Sequence, residues 1–268
     1  MRWTERQRAM LAEMGLRLWS AGPSDPSIAV ADERAAAPPV APAVAHRIDS
    51  APAARPALAG PQRDAIAASV RDMDWPVLRE TVAACTACGL CEGRRQTVFG
   101  VGHARAHWMV VGEAPGEQED AVGEPFVGKS GQLLDNMLRA LDLSRQPGEP
   151  AQQVYIANAV KCRPPGNRNP EPVELATCEP YLLRQIELVR PRVILAMGRF
   201  AVQSLLRSSE PIGRLRGRVH HYEGVPLVVT YHPAYLLRNP EDKAKAWDDL
   251  CLAWQTVRSA AAAATPSS

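Results

Sequence analysis

Large apolar residues are concentrated in the part of the chain after residue 63, where short continuous runs alternate with helical stripes. The runs are typical of strands buried on both faces of a sheet. They lie at His107–Val111, Val154–Ala159, Val193–Ala196 and Pro226–Thr230. Between most of them, apolar side chains recur every three or four residues, which indicates helices. These are predicted at Lys129–Leu141, Glu171–Val189, Arg199–Leu206 and Glu241–Arg258. Strands that alternate with helices predict an α/β fold, in which a mostly parallel sheet has helices on both faces.

Composition divides the chain into four regions. Residues 1–19 carry an apolar stripe at helical spacing, which predicts an isolated helix or a tail that binds a partner protein. Residues 20–62 contain 14 Ala and 8 Pro and almost no large apolar side chains, so they are predicted to be a disordered linker. The folded domain is expected at 63–258, and residues 259–268 are predicted to be a disordered tail.

The overall composition excludes several classes of protein. Apolar residues make up 46% and charged residues 22% of the chain, which excludes a wholly disordered protein. No apolar run approaches the roughly 18 residues of a membrane-spanning helix, so no membrane partner is expected. Charged residues such as Arg2, Glu5 and Arg6 interrupt the N-terminus, which excludes a secretory signal. We therefore expect a cytoplasmic monomer whose cysteines are thiols, metal ligands or catalytic groups.

Three of the predicted strands run into polar segments that Gly or Pro stiffens. These segments are Gly112–Asp120, Asn158–Pro165 and Tyr231–Arg238. In open sheets of this kind, ligands bind beyond the C-terminal ends of the strands. We therefore expect the three segments to converge on one cleft.

Side chains in these segments are suited to binding and activating a planar base. The Asn158 amide can donate to one carbonyl and accept from a ring N–H, which is the pattern on the edge of uracil. The His232 imidazole can donate to a carbonyl oxygen that gains negative charge. Glu113, Glu119 and Asp120 can hold a water or accept its proton. The ordinary alternatives are an amide bonded to nearby backbone, a turn histidine and solvated acids.

An aromatic residue and a basic segment are consistent with nucleic-acid binding. Phe126 lies among turn residues, where it either stacks on a base or belongs to the core beneath the loop. From Lys161 to Arg218 there are 11 Lys or Arg and five Asp or Glu. This local positive charge suits a phosphate backbone, and a solvated basic face is the alternative. Leu237 and Arg238 can place an apolar wedge and a cation beside DNA.

Five of the six cysteines have a spacing typical of a metal site. They are Cys85, Cys88, Cys91, Cys162 and Cys178. Four thiolates suit either tetrahedral zinc or an iron–sulfur cluster, and the spacing leaves both open, with five candidates for four places. Cys251 lies on the apolar face of the last predicted helix and is expected to be a small buried hydrophobe.

Together these motifs resemble the family 4 uracil-DNA glycosylases, the iron–sulfur branch of the uracil-DNA glycosylase superfamily. The resemblance covers nearly all of residues 78–254 in the family's order. The matching segments are Cys85-x2-Cys88, Thr97–Gly100, Gly112–Gly116, Pro125–Gly128, Asn158 with Val160–Pro165, Cys178 and His232–Arg238. The resemblance implies a three-layer α/β/α fold around a mostly parallel, four-stranded central sheet. It also implies a [4Fe–4S] cluster with Cys85, Cys88, Cys162 and Cys178 as ligands, which leaves Cys91 spare.

The resemblance further implies an enzyme that hydrolyses the N-glycosidic bond of flipped-out deoxyuridine in single- or double-stranded DNA. In such an enzyme Phe126 stacks on uracil, Asn158 reads its edge, and His232 stabilises the departing base at O2. Glu119 or Asp120 lies near the attacking water and the 5-position of the base. The full implied set is Ala114, Phe126, Asn158, Leu237 and Arg238 for the substrate, and Glu113, Glu119, Asp120 and His232 for catalysis.

Two other functions stay open from the sequence. One is that of a related protein that traps uracil-containing DNA covalently through a histidine. That branch carries a Lys-Arg-Arg-Ile-His insert after the second strand, where this chain has Lys-Cys-Arg-Pro-Pro-Gly-Asn-Arg at 161–168. The other is a non-enzymatic accessory factor of a DNA polymerase, with the first helix as its tether.

Overall fold

A computed structural model describes residues 60–263. The predicted helix at 1–19, nearly all of the predicted linker at 20–62 and the end of the predicted tail lie outside the described residues. The helices are α1 (Gly60–Val70), α2 (Trp75–Ala83), α3 (Leu90–Gly93), α4 (Glu117–Val122), α5 (Gly128–Arg139), α6 (Pro172–Val189), α7 (Arg199–Leu206), α8 (Ile212–Leu215), α9 (Pro233–Arg238) and α10 (Lys243–Ala263). The strands are β1 (Val101–Gly102), β2 (Trp108–Gly112), β3 (Val154–Asn158), β4 (Val193–Met197), β5 (Val219–Tyr222) and β6 (Val225–Thr230).

The central sheet is mixed and has six strands, in the order β1-β3-β2-β4-β6-β5. The four predicted strands are present as β2, β3, β4 and β6, and they run parallel to one another. The expected total of four strands is wrong, because β1 and β5 pair antiparallel at the two edges. β1 has only two residues, and β5 alternates between exposed and partly buried positions. Neither edge strand has the continuous apolar run by which the other four were predicted.

The sequence predicts a hairpin-like stretch at Arg218–Pro226 that turns at Glu223 and Gly224, and in the structure a two-residue turn joins β5 to β6 at this position. Glu223 and Gly224 both have positive φ, at 45° and 80°. Two-residue hairpin loops favour this conformation because its twist matches that of the flanking strands.

Helices cover both faces of the sheet. Strands β2, β3 and β4 are buried at every position, and successive residues point to opposite faces. Trp108 and Val110 pack in one core with α5 and α10, while Met109 and Val111 pack in the other with α6 and α7. These layers hold the C-terminal ends of the parallel strands at one rim of the sheet.

A third apolar cluster joins α1, α2 and α3 to α6, and it includes Cys162 and Cys178. Both ends of the domain extend slightly beyond the predicted bounds. Helix α1 begins at Gly60, and its Arg63 pairs with Glu179 of α6 at 2.9 Å. Helix α10 continues to Ala263, so residues 259–263 of the predicted tail are helical, as expected for Ala, the strongest helix former. Within residues 60–263, no helix combines the length and apolar character needed to cross a membrane.

Candidate functional site

A cleft of about 870 Å³ opens where β2, β3 and β6 end. The predicted site residues that line it are Glu113, Ala114, Glu119, Phe126, Asn158, His232 and Arg238. The structure does not bring Asp120 or Leu237 into its wall. Segments that are far apart in the chain therefore meet at one rim of the sheet, as expected for an open parallel arrangement.

Phe126 forms part of the cleft wall with its backbone in the left-handed region, at φ 54°. Gly112 makes room for its ring, because a Cβ there would lie 2.6 Å from two ring carbons. Phe126 is 5% exposed and belongs to one core of the domain while it also lines the cleft, so the core interpretation is confirmed and stacking on a base stays a prediction. It stacks against His232 with ring centroids 5.2 Å apart and planes at 25°. Two rings that sandwich a third need about 7 Å between them, so no base fits between Phe126 and His232 at this spacing.

Asn158 presents an unused amide to the cleft. It is the last residue of β3 and is 2% exposed. Its backbone carbonyl accepts a hydrogen bond from Lys161 Nζ at 2.9 Å. Its side-chain amide makes no hydrogen bond to any other residue between 60 and 263. Buried polar groups are nearly always paired, so this amide is suited to a polar ligand and does not serve nearby backbone.

The His232 imidazole is held as a neutral donor. Its Nδ1 accepts a hydrogen bond from the backbone N–H of Ala234 at 3.2 Å. Burial, assisted by the nearby Arg238 guanidinium, lowers the pKa of His232 to about 4. The ring is therefore neutral at physiological pH, and its proton is on Nε2 because Nδ1 is an acceptor.

Two of the three predicted carboxylates are bonded to backbone. Glu119 accepts from the N–H groups of Gly116 at 3.0 Å and Val127 at 2.7 Å, which ties α4 to the segment that carries Phe126. Both oxygens of Asp120 accept from the Arg95 N–H at 3.0 Å. Asp120 is 2% exposed and outside the cleft. The structure therefore places the Asp120 carboxylate outside the cleft wall and against the Arg95 backbone, and a catalytic role for Asp120 stays a prediction.

Glu113 is the predicted carboxylate whose oxygens stay free. It directly follows β2 and lines the cleft, and its side chain makes no hydrogen bond within the described part of the chain. Burial raises the pKa of Glu113 to about 7, and the nearby Arg199 opposes this shift. A carboxyl group that titrates near neutral pH is suited to general-base chemistry.

Leu237 and Arg238 lie on α9, directly after His232. Arg238 lines the cleft. Leu237 lies outside it and is 44% exposed. A contact of Leu237 with DNA stays a prediction.

The basic segment from Lys161 to Arg218 is less available to DNA than its composition suggests. Lys161 is fully buried, and five arginines form ion pairs within the domain. These are Arg163, Arg168, Arg184, Arg207 and Arg216, paired with Glu117, Glu174, Glu187, Glu179 and Asp249 respectively. Arg214 and Arg218 remain exposed, so only part of the predicted positive surface can face a phosphate backbone.

Arg199 is a cleft residue that the sequence analysis missed. It follows β4 after Gly198, and its guanidinium lies 4.5 Å from the ring centroid of Phe200. It lines both the cleft and a neighbouring cavity of about 450 Å³. The signal was present in the sequence: β4 also ends in a glycine followed by a polar residue, and the rule on strand ends applies to it equally.

Five thiols line a separate cavity formed by α2, α3, α6 and the segment after β3. They are Cys85, Cys88, Cys91, Cys162 and Cys178, and all are free. Among the described residues, no three His, Cys, Asp or Glu side chains are close enough to hold a single metal ion. A zinc ion needs four ligands at about 2.0–2.3 Å from one point, whereas a multi-iron cluster is ligated at its corners. Thiols distributed around a cavity fit the second arrangement better.

Hydrogen bonds distinguish three of these thiols from Cys91. The donors are Tyr181 Oη to Cys85 at 3.3 Å, Arg94 Nη1 to Cys162 at 3.1 Å, and the Lys161 N–H to Cys178 at 3.3 Å. The Cys91 sulfur has no such donor in the described part of the chain. Hydrogen bonds to ligating sulfurs are a general feature of iron–sulfur sites. Burial raises the pKa of Cys178 to about 12, so this thiol needs a bound cation to stay ionised.

Comparison with known proteins links the chain to one described family. Residues 99–251 match the family model described as the uracil DNA glycosylase superfamily. The chain is 42% identical over 173 residues to the type-4 uracil-DNA glycosylase of Archaeoglobus fulgidus, an alignment that covers 62% of this chain and 83% of that protein. It is 41% identical over 171 residues to the type-4 uracil-DNA glycosylase of Thermotoga maritima, covering 63% and 86%.

Proposed function

The chain belongs to the uracil-DNA glycosylase superfamily, and we propose that its cleft hydrolyses the bond between uracil and deoxyribose in DNA, leaving an abasic site. One observation carries this proposal: Phe126, Asn158 and His232, from three separate segments, line the same cleft. Together they offer a stacking surface, an edge-reading amide and a donor for the leaving base. The enzyme is therefore a DNA-repair hydrolase that acts on N-glycosyl bonds.

Recognition requires the base to leave the helix stack, because its glycosidic bond is inaccessible inside a duplex. Extrusion costs a few kcal/mol, and less in single-stranded DNA. The Phe126 ring offsets part of this cost by stacking on the base. The Asn158 amide donates to O4 and accepts from the N3–H, a pattern that cytosine does not present.

Bond breaking leaves a positive charge on the sugar and a negative charge on the base. His232 donates from Nε2 to uracil O2 as the electron pair of the C1′–N1 bond passes to the base. One such donor contributes about 3 kcal/mol to the stability of the transition state. Glu113 in its ionised form stabilises the cationic sugar and accepts the proton of the water that adds to C1′. Ala114 and Glu119 shape the wall next to this water, and Arg238 and Leu237 contact the DNA strand.

We propose that Cys85, Cys88, Cys162 and Cys178 hold a [4Fe–4S] cluster and that Cys91 is spare. The hydrogen bonds to Cys85, Cys162 and Cys178 support three members of this set, since ligating thiolates are stabilised by such donors. When bound, the cluster supplies four metal–sulfur bonds that join α2, the segment after β3 and α6. Lys161, adjacent to Cys162, donates a hydrogen bond from Nζ to the Asn158 backbone carbonyl at 2.9 Å. This bond links the segment that carries Cys162 to the residue proposed to read the base.

Incubation with an oligonucleotide that contains one uracil tests the proposed function. We expect an alkali-labile break at the uracil position and none in a matched thymine oligonucleotide. A heat-stable protein–DNA conjugate would instead indicate covalent trapping, and unchanged DNA an accessory role. Trapping is disfavoured by the site itself, because His232 is the one histidine among the cleft residues that the structure describes.

A further inference from the structure

Phe126 adopts a backbone conformation that its side chain does not favour. At φ 54° it is in the left-handed region, where an aromatic residue is strained and persists only if its surroundings impose the conformation. The residues on either side are each held by a charged side chain. Glu119 accepts from the Val127 N–H at 2.7 Å, and Arg145 donates from Nη1 to the Pro125 carbonyl at 2.8 Å.

Arg145 reaches this loop from a distant part of the chain, in the segment before β3. Its side chain is 9% exposed, and its Nε pairs with the Asp135 carboxylate of α5 at 2.7 Å. The guanidinium therefore connects the Pro125 carbonyl to the helix that begins just after Phe126. Charge-assisted hydrogen bonds of this kind are about twice as strong as neutral ones. The planar fork also fixes the direction of the bond to Pro125.

A purely stabilising role does not account well for this arginine. Its third nitrogen, Nη2, is buried and has no hydrogen-bond partner among the described residues. A buried, unpaired donor reduces folding stability. Buried polar groups that lack a hydrogen-bond partner are expected near functional sites.

We propose that Arg145 is a positioning residue for base stacking. Asp135 orients the Arg145 guanidinium toward the Pro125 carbonyl, and this contact holds Phe126 in its left-handed conformation before DNA binds. The proposal rests on the function proposed above. Arg145 does not line the cleft and does not touch the base. Its effect on the substrate passes entirely through the Phe126 ring, and this distinguishes it from a residue that stabilises the domain as a whole.

The proposal predicts a loss of binding specific to the base. Two oligonucleotides serve as probes: one carries 2′-fluorodeoxyuridine, which resists hydrolysis, and the other a tetrahydrofuran abasic analogue at the same position. We expect Arg145→Met to weaken binding of the first by about tenfold or more, the effect of losing one charge-assisted bond. Binding of the abasic probe should not change. In steady-state excision, KM should rise more than kcat falls.

Three further variants separate positioning from folding. Arg145→Lys keeps a cation that can reach the Pro125 carbonyl and should restore part of the affinity. Asp135→Asn, at a residue whose side chain is 41% exposed, should weaken uracil binding in the same direction without unfolding the domain. Arg192→Met removes an exposed cation next to the start of β4, at the opposite rim of the sheet, and should behave as the wild type.

A double-mutant cycle with Phe126→Leu gives the decisive comparison. If Arg145 acts through the ring, Arg145→Met should have little further effect on uracil binding once the ring is gone. Equal weakening of both probes, or a full additional loss in the Phe126→Leu background, would overturn the proposal. Wild-type protein that fails to excise uracil would instead overturn the proposed function, so the two failures are distinguishable.

Discussion

At the scale of single residues, the two carboxylates of the cleft, Glu113 and Glu119, differ in the hydrogen bonds that they accept from backbone N–H groups. Glu119 accepts from two backbone N–H groups, and its carboxylate is therefore held in place. Glu113 has no such partner within the described chain, and burial raises its pKa to about 7. A fixed carboxylate positions loops, whereas a free carboxyl group that titrates near neutrality can exchange a proton with water.

The pH dependence of excision in a Glu113 variant tests whether Glu113 is the carboxylate that exchanges a proton with water. Because the pKa of Glu113 is raised to about 7, its ionised fraction grows as the pH rises through that value, and kcat/KM of the wild type should rise with it. Glu113→Gln should lower kcat by about 10²-fold and remove the rise. Single-turnover excision rates between pH 5.5 and pH 8.5 provide the measurement. An unchanged pH profile in the variant would assign the titration to another group.

Asn158 is expected to determine the choice of base. Asn158→Asp replaces an amide that donates and accepts with a carboxylate that only accepts, so the bond to uracil O4 is lost. Excision of uracil should fall by about tenfold or more, and the ratio of uracil to cytosine excision should fall with it. Competition between the two oligonucleotides measures this ratio. If selectivity is unchanged, Asn158 does not read the base.

The sequence predicted Asn158 and His232 because each lies next to the end of a buried strand, and Phe126 because an aromatic residue is less expected among turn residues. It did not show which of Glu113, Glu119 and Asp120 is available to activate water, because this depends on the backbone N–H groups that bond Glu119 and Asp120 in the folded chain. Arg145 carried no local signal either: its role arises from Asp135 and Pro125, which only the tertiary structure brings to it.

At the scale of elements, the sheet and the cysteine cavity are joined by the segment that follows β3. Asn158 ends the strand, Lys161 donates to its carbonyl, and Cys162 lines the cavity. The long buried strands were predictable from their apolar runs. The edge strand β1 was not, because it carries no such pattern and forms only by pairing with β3. The sequence indicated β5 only through the hairpin turn that joins it to β6.

Cysteine variants test the proposed ligand set. Cys178→Ser should reduce iron and sulfide content severely and lower the thermal midpoint by about 5–10 °C, because metal binding contributes directly to folding free energy. Cys91→Ser is the matched control and should leave both unchanged. Iron and sulfide analysis with visible absorbance reports the outcome. Loss of iron in Cys91→Ser but not in Cys178→Ser would reverse the assignment.

At the scale of the whole molecule, the described domain contains every element of the proposed site, and residues 1–59 lie outside it. Helix α1 belongs to the domain, since Gln62 donates to the Ala87 carbonyl at 2.6 Å and Arg63 pairs with Glu179. The boundary for a truncation is therefore before Gly60 rather than at residue 62.

Deleting residues 1–59 should leave excision on short oligonucleotides unchanged, because Glu113, Phe126, Asn158 and His232 all belong to the described domain. Removing residues 1–70 is the informative comparison: it also deletes α1 and should lower the thermal midpoint. Excision rates and melting curves of both truncations provide the measurement. A loss of activity on removing residues 1–59 would show that the N-terminal segment contributes to the site.

A crystal structure of the protein with a 2′-fluorodeoxyuridine oligonucleotide would show whether the cleft binds the extruded base. We expect the uracil ring stacked on Phe126, with O4 and N3 bonded to the Asn158 amide and O2 within hydrogen-bond distance of His232 Nε2. A uracil bound outside this cleft, or one that enters it without contacting these three side chains, would contradict this expectation.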